Sequence, residues 1–270
     1  MLFAKQTVRT YKRIYNVLAG LNPVASPYAF MAPGSVQPRG HIVVFPGSFN
    51  PPTNAHLAML QQAHRFVRRQ SGHWQIYAAL SQYSINKEAM ECMTLPDRVK
   101  LLQCVLNKQG ARTGIILLNK GLYVEQARGI RAAFPRVRQL FFLVGFDKIV
   151  QILDPRYYVE RDTALRELFS LAQLLVMPRD TNGEQELAEL LTRPENRPFA
   201  NAMRPLPLAE RYRYISSSQA RQNTQFDQIP ALARDFIWRT HPYVTLPRSD
   251  DAQADGYSER TRALQACLHS

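Results

Sequence analysis

The chain has 270 residues, 46% of them hydrophobic, and a formal net charge of +13. That length fits one large domain with arms, or two small ones, with a sizeable core, and no run of about 18 apolar residues is present to span a membrane. Cys92, Cys104 and Cys267 are odd in number and lack metal-ligand spacing, which argues against a disulfide framework and suggests a reducing compartment.

The charge is unevenly placed. Nine lysines and arginines and no acid precede Glu88, whereas the other 25 basic residues nearly balance 21 acids. Such a field attracts phosphates, nucleic acid or an anionic surface. The acid-free start could pass for an organelle transit peptide. However, Val8, Tyr11, Tyr15 and Leu18 recur at helical spacing, with Lys5, Arg9, Lys12 and Arg13 mostly elsewhere on the wheel, so a docked amphipathic helix is the preferred reading. The arm, residues 1–40, continues through a Pro- and Gly-rich stretch.

From His41 the pattern alternates. Apolar runs predict strands at His41–Phe45, Gln75–Leu80, Gly114–Leu118, Leu140–Val144 and Gln173–Met177, with a shorter one at Tyr212–Ile215. Helical patterns lie between them at Asn54–Arg69, Leu95–Asn107, Tyr123–Phe134 and Asp147–Leu153. Strands alternating with helices predict an α/β fold, a parallel sheet covered on both faces. Residues 180–207 turn polar and carry four prolines, as in a loop or lid around one short helix, Glu184–Leu191. A last helix is predicted at Ile229–Thr240, followed by a polar, mobile tail.

Three stretches could hold phosphate or ribose. In "VVFPGSFNPPTNAHLAML", Gly47 permits close backbone approach, Thr53 suits a helix N-cap, and His56 falls in the first turn, where free N–H groups and the helix dipole favour anions. A histidine that helps cap the helix is the plainer reading. In "YISSSQAR", Ser216 or Ser217 can cap a helix. Three serines exceed what a cap needs, and Arg221 one turn on carries a guanidinium suited to phosphate. In "FFLVGFD", Gly145 and Asp147 follow a strand end, where a carboxylate can accept from ribose hydroxyls or simply cap the next helix. No P-loop, no G-x-G-x-x-G, no nucleophile elbow and no metal-binding carboxylate cluster is visible. Donors and cations without nucleophiles suit a reaction in which the substrates supply the chemistry and the protein supplies alignment and charge stabilisation.

These residues resemble the nicotinamide/nicotinate mononucleotide adenylyltransferases, within the nucleotidyltransferase superfamily related to class I aminoacyl-tRNA synthetases. Gly47-Ser48-Phe49-Asn50-Pro51 with Thr53 and His56 matches the family's G-S-F-N-P-x-T-x-x-H. Ile215-Ser216-Ser217-Ser218-Gln219-Ala220-Arg221 matches I-S-S-T-x-x-R with Ser218 for Thr, and Gly145 and Asp147 match G-x-D. The resemblance covers about Ile42 to Tyr243. It implies a Rossmann-like doubly wound parallel sheet over residues 41–245, with the first and fourth core strands adjacent, an N-terminal helical arm over 1–40 and a polar tail over 246–270. It implies adenylyl transfer from Mg-ATP to nicotinamide or nicotinate mononucleotide, giving NAD or its deamido form plus pyrophosphate.

By the same resemblance, His56, Ser217 and Arg221 serve catalysis. Gly47, Ser48, Phe49, Asn50, Thr53, Gly145, Asp147, Arg179, Ser216 and Ser218 contact nucleotide, and Lys87 and Tyr158 face the second substrate. Tyr158 stands where many members carry a ring-stacking Trp, a departure that marks a divergent branch. Mg2+ arrives with ATP and no protein metal site is expected. Competing readings are a relative with another phosphate acceptor, an ATP hydrolase, and a nucleotide-sensing or RNA-binding module suggested by the basic segment. The last lacks an aromatic stacking platform, so nucleic acid is not an expected partner, nor is a membrane. A homo-oligomer is left open. A cytoplasmic location is expected, an organelle being the lesser option.

Overall fold

The computed structural model describes residues 5–81, 93–110, 112–177, 183–222, 226–243 and 256–269. Lys87 and Arg179 lie outside the described residues. The elements run α1 (Lys5–Ala19), β1 (Ala29–Met31), β2 (Gly40–Pro46), α2 (Asn54–Val67), β3 (Trp74–Ser81), α3 (Leu95–Lys108), β4 (Thr113–Leu118), α4 (Tyr123–Ala133), β5 (Val137–Gly145), α5 (Phe146–Leu153), α6 (Arg161–Leu171), β6 (Gln173–Met177), α7 (Gly183–Thr192), β7 (Met203–Pro205), α8 (Ser217–Gln222), α9 (Ala231–Thr240) and α10 (Gly256–His269).

The seven strands form one sheet in the order β1-β4-β3-β2-β5-β6-β7. All neighbours are parallel except β1, which runs antiparallel to β4. The chain therefore winds outward from β2 through β3 to β4, then returns to start again at β5 beside β2. Strand order reverses between β2 and β5, and the first and fourth core strands are neighbours, as in a doubly wound sheet. The core strands read as continuous apolar runs because both faces are covered. In β2, Val43 and Phe45 join one buried cluster while Ile42 and Val44 join the other. The first cluster is closed by α1, α2, α3, α8 and α9, the second by α4, α5, α6 and α7.

Local chemistry sets the helix starts. Thr53 caps α2 in a capping box and Thr94 caps α3, whose second residue is Pro96. Tyr212–Ile215 is not a strand. Glu210–Tyr212 is a 3-10 turn, because the preceding prolines at 205 and 207 end the edge of the sheet at β7.

Both ends of the described chain are docked. Tyr11 and Ile14 of α1 are buried. The arm after α1 is fastened to the loop following β4: the Asn119 amide nitrogen donates to the carbonyls of Asn22 and Ser26, and its oxygen accepts from the Tyr28 N–H. Where the sequence suggested a mobile tail, residues 256–269 form α10, which packs on α1 and α9. Buried Asp97 of α3 joins these ends. It accepts from the hydroxyls of Tyr11 and Tyr257, both at 2.5 Å, and from both terminal nitrogens of Arg260, at 2.9 and 3.0 Å.

Candidate active site

The loop after β2 is built on Phe49. Its φ of +44° folds the chain back, and its ring, fully buried, lies against Phe45 and His56 with centroids at 5.4 and 4.9 Å. A side chain at Gly47 would meet that ring at 3.0 Å. Gly47 is therefore required by packing beneath the loop. Phe49 was expected to meet nucleotide through its backbone, and its side chain indeed belongs to the core, so only that backbone can face a ligand.

Asn50 and Thr53 are also buried. The Asn50 side-chain oxygen accepts from the Tyr243 hydroxyl at 2.8 Å. Thr53 caps α2: its hydroxyl oxygen accepts from the His56 N–H, and its own N–H donates to Nδ1 of His56 at 2.9 Å. An Nδ1 that accepts from a backbone N–H carries no proton in the neutral ring, so the proton sits on Nε2 and the imidazole presents a donor there. The plain reading of His56, as a capping residue, and the functional one are thus parts of one arrangement. The cap fixes the tautomer and aim of the ring.

The second motif is tied directly to this loop. Arg221 of α8 donates to the carbonyl of Asn50, and the Ser217 hydroxyl donates to the carbonyl of Pro51 at 2.9 Å. Arg221 also donates to the Ser218 hydroxyl at 3.3 Å and lies over the Tyr243 ring. Ser216 caps α8, its oxygen accepting from the Gln219 N–H at 3.1 Å. On the other side, the Asn54 amide donates to the Asp227 carbonyl at 2.8 Å. Segments about 170 residues apart in sequence are thereby clamped into one rim at the carboxyl end of β2. In a guanidinium with five donors, two such bonds leave others for an anion.

Gly145 is the N-cap of α5 and Asp147 lies exposed in its first turn, at the end of the strand beside β2. Next to these lies a cleft of about 150 Å³ lined by Gly47, Ser48, Arg98, Tyr123, Lys148 and Tyr158, among others. It opens at the carboxyl ends of the strands flanking the reversal, where open α/β sheets bind ligands. Arg98 donates to the Ser48 carbonyl at 3.2 Å and so stands at the loop's foot. The Tyr158 hydroxyl donates to the Ile152 carbonyl at 2.8 Å, which turns its ring to the cleft wall. Burial pushes its pKa up to about 12. Burial also raises Tyr123, and partial desolvation against the cleft wall lowers the Lys148 ammonium below its ordinary value although the residue is exposed.

Of the residues expected from sequence, Gly47, Ser48 and Tyr158 line the cleft. His56, Ser216, Ser217, Ser218 and Arg221 gather at the far end of the loop, and Gly145 and Asp147 start the neighbouring helix. Sequence reasoning missed Arg98, Tyr123, Gln126 and Lys148 as cleft residues. Lys148 adjoins Asp147 and Tyr123 opens α4, so the rule that ligands gather at strand ends could have found both. Arg98 and Gln126 lie inside helices and give no local signal. Among the described residues, no three His, Cys, Asp or Glu side chains converge as a metal site would need, and no helix is long and apolar enough to cross a membrane.

The sequence pattern of the cytidylyltransferase-like family matches residues 44–223, from within β2 to just beyond α8. The chain belongs to that family. It is 28% identical over 145 residues to a Schizosaccharomyces pombe protein provisionally named nicotinamide mononucleotide adenylyltransferase. The match takes in 53% of this chain and 55% of the relative, so the chain spans about half the length of that relative. A solved structure of Plasmodium falciparum nicotinic acid mononucleotide adenylyltransferase complexed with APC superposes with a TM-score of 0.52 at 16% identity. The match covers 76% of this chain and 96% of the other, a likeness of fold. Family and fold together support a nucleotidyltransferase-type enzyme of the cytidylyltransferase-like family.

Proposed function

We propose that this cytidylyltransferase-like chain transfers the adenylyl group of Mg-ATP to nicotinamide or nicotinate mononucleotide, giving NAD or deamido-NAD and pyrophosphate. The observation that carries the reading is the clamp between the two motifs. Bonds from Arg221 and Ser217 to the carbonyls of Asn50 and Pro51 bring a guanidinium and a serine-rich helix start to the loop that aims His56.

The mononucleotide phosphate attacks the α-phosphorus of ATP, the bond to the pyrophosphate oxygen breaks, and pyrophosphate leaves. Nothing in this step needs a covalent intermediate on the protein, so what the protein supplies is alignment and charge. His56 donates from Nε2 to a phosphate oxygen, and Arg221 neutralises charge developing on the leaving group. Gly145 and Asp147 suit adenosine, the carboxylate accepting from ribose hydroxyls. Arg98 and Lys148 give the cleft the cations that a mononucleotide phosphate needs, and Tyr158 offers a ring face for the pyridine. Magnesium is part of the Mg-ATP substrate. Lys87 and Arg179 remain proposed contacts by sequence pattern alone.

The test is product formation with Mg-ATP and, separately, each pyridine mononucleotide, with His56→Ala as control. Dinucleotide plus pyrophosphate, falling about 100-fold or more in the variant, is the expected result. Phosphate release without dinucleotide would point to ATP hydrolysis or another acceptor and sink the pyridine assignment.

A further inference from the structure

Gln126 lies in the first turns of α4, buried, on the wall of the cleft. Its amide nitrogen donates to two backbone carbonyls, Gly121 at 3.0 Å and Lys120 at 3.3 Å. Those two acceptors fix which end of the amide is which, because the reverse orientation would set an oxygen against two oxygens. The side-chain oxygen is thereby turned the other way. It is buried and has no hydrogen-bond partner. A buried acceptor without a donor is rare in native proteins and calls for an explanation, an absent ligand among them.

The wall that holds it is tied together by hydrogen bonds. The carbonyl of Lys120 also accepts from the Ser81 hydroxyl at 2.7 Å, and the Lys120 ammonium donates to the Pro23 carbonyl at 2.8 Å. Neighbouring Asn119 is fastened to the arm through the Asn22 and Ser26 carbonyls. Gln126 therefore cannot turn to satisfy its oxygen without giving up bonds that anchor this loop.

We propose that the Gln126 side-chain oxygen reads the substituent of the pyridine ring, accepting an N–H from a carboxamide and disfavouring a carboxylate. The inference rests on the function proposed above and names which of its two substrates the site takes. An oxygen that can only accept gains a bond from an amide nitrogen. Against a carboxylate it stays unpaired beside a second acceptor, and that asymmetry between a satisfied and an orphaned buried group is what gives polar sites their selectivity. The cations of the cleft, Arg98 and Lys148, come from α3 and α5, while Gln126 comes from α4. The phosphate and the ring substituent are thus read by separate elements.

The experiment compares kcat/KM of the full chain, with Mg-ATP, for nicotinamide mononucleotide, nicotinate mononucleotide and the 3-acetylpyridine mononucleotide. The last keeps the carbonyl and replaces the NH2 with a methyl. The expected result is that the amide leads both others by about tenfold or more. Gln126→Met should remove that lead while leaving KM for ATP unchanged, which separates lost recognition from a damaged fold. The acetyl compound tests the same bond on the unaltered protein, should the variant not fold. An acid preferred over the amide, or an acetyl compound as good as the amide, would overturn the inference while leaving adenylyl transfer intact. It would mean that the cations and the uncapped start of α4 govern the ring. No dinucleotide from any of the three would refute the proposed function, and this inference with it.

Discussion

Replacing Arg260 by methionine should release α10 from the body of the protein without unfolding the sheet. Arg260 is only 17% exposed as a side chain and Asp97 only 2%. The guanidinium donates to both carboxylate oxygens and to the Tyr11 hydroxyl. Removing one partner of a buried pair leaves a stranded charge, at about 3–5 kcal/mol. The Tyr11 and Tyr257 hydroxyls and the Thr94 hydroxyl still reach Asp97, so the low end, about 3 kcal/mol, is expected. Against this, the fully buried apolar anchor of α10 is Leu264, worth about 1.5–3 kcal/mol. The two are comparable, so losing the first should let the helix undock and return Asp97 to water. The loss of global stability is then capped at the docking free energy of α10. Hydrogen exchange read by peptide should show α10 losing protection and α1 part of it, while β2 to β6 keep theirs. Adding Asp97→Asn should restore part of the protection by removing the stranded charge. Unchanged protection of α10 in Arg260→Met, with an unchanged urea midpoint, would refute the reasoning and reduce the cluster to a pair of surface strength, about 0–1 kcal/mol.

Three further outcomes follow from the geometry. Arg221→Lys should cut kcat/KM for ATP by about 10- to 100-fold, because a single ammonium cannot bridge the Asn50 carbonyl and the Ser218 hydroxyl as the planar fork does. Steady-state kinetics at varied ATP would check it, and near-normal values would sink the clamp as a functional device. Gly47→Ala should destabilise by about 1–3 kcal/mol in a urea titration, since the new methyl meets the fully buried Phe49 ring at 3.0 Å. A neutral result would show that the loop rearranges freely. The protein should also lose stability on the alkaline side. Burial raises Tyr11, Tyr77, Tyr123 and Tyr257, and raises Tyr158 to about 12, whereas unfolded tyrosines ionise near pH 10. The folded state binds more protons in that window. Stability is therefore full below about pH 10 and falls as pH climbs towards 12, and Tyr158→Phe should shallow the slope in pH-dependent urea melts.

The five central strands were legible because a parallel strand buried on both faces must be a short apolar run, a property of a few adjacent residues. The starts of α2 and α3 were legible for the same reason, since Thr53 and Thr94 act within three residues. The edge strands β1 and β7 have three residues each, too few to carry a period, and β1 exists because the arm is bonded back onto β4. The docking of α10 was not legible either. It depends on a carboxylate about 160 residues away, and the helix itself looks polar. Both misses involve interactions whose partners are remote in sequence.

The site divides along the same line. Thr53, His56, Ser216 and Arg221 could be singled out from sequence because helix starts announce themselves locally, and the anion chemistry of a helix start is carried by the residues that cap it. Of the cleft wall, Gly47, Ser48 and Tyr158 were named from sequence, but Arg98, Gln126 and Lys148 were not, because they come from three different helices that only the sheet brings together. The G-S-F-N-P loop shows why a motif read as ligand contact must be sorted in space. Phe49, Asn50 and Thr53 spend their side chains inward, against Phe45, Tyr243 and the α2 cap. The Asn50 carbonyl and the Thr53 N–H are bonded within the loop as well, which leaves the Phe49 backbone, Ser48 and His56 as the groups the proposed function can use. A substitution at the inward residues should therefore move stability and rate together, through the aim of the loop. Charge removed from Lys148 should act on binding of the acceptor while the loop keeps its shape, whereas removing Arg98, which also holds the Ser48 carbonyl, should disturb both.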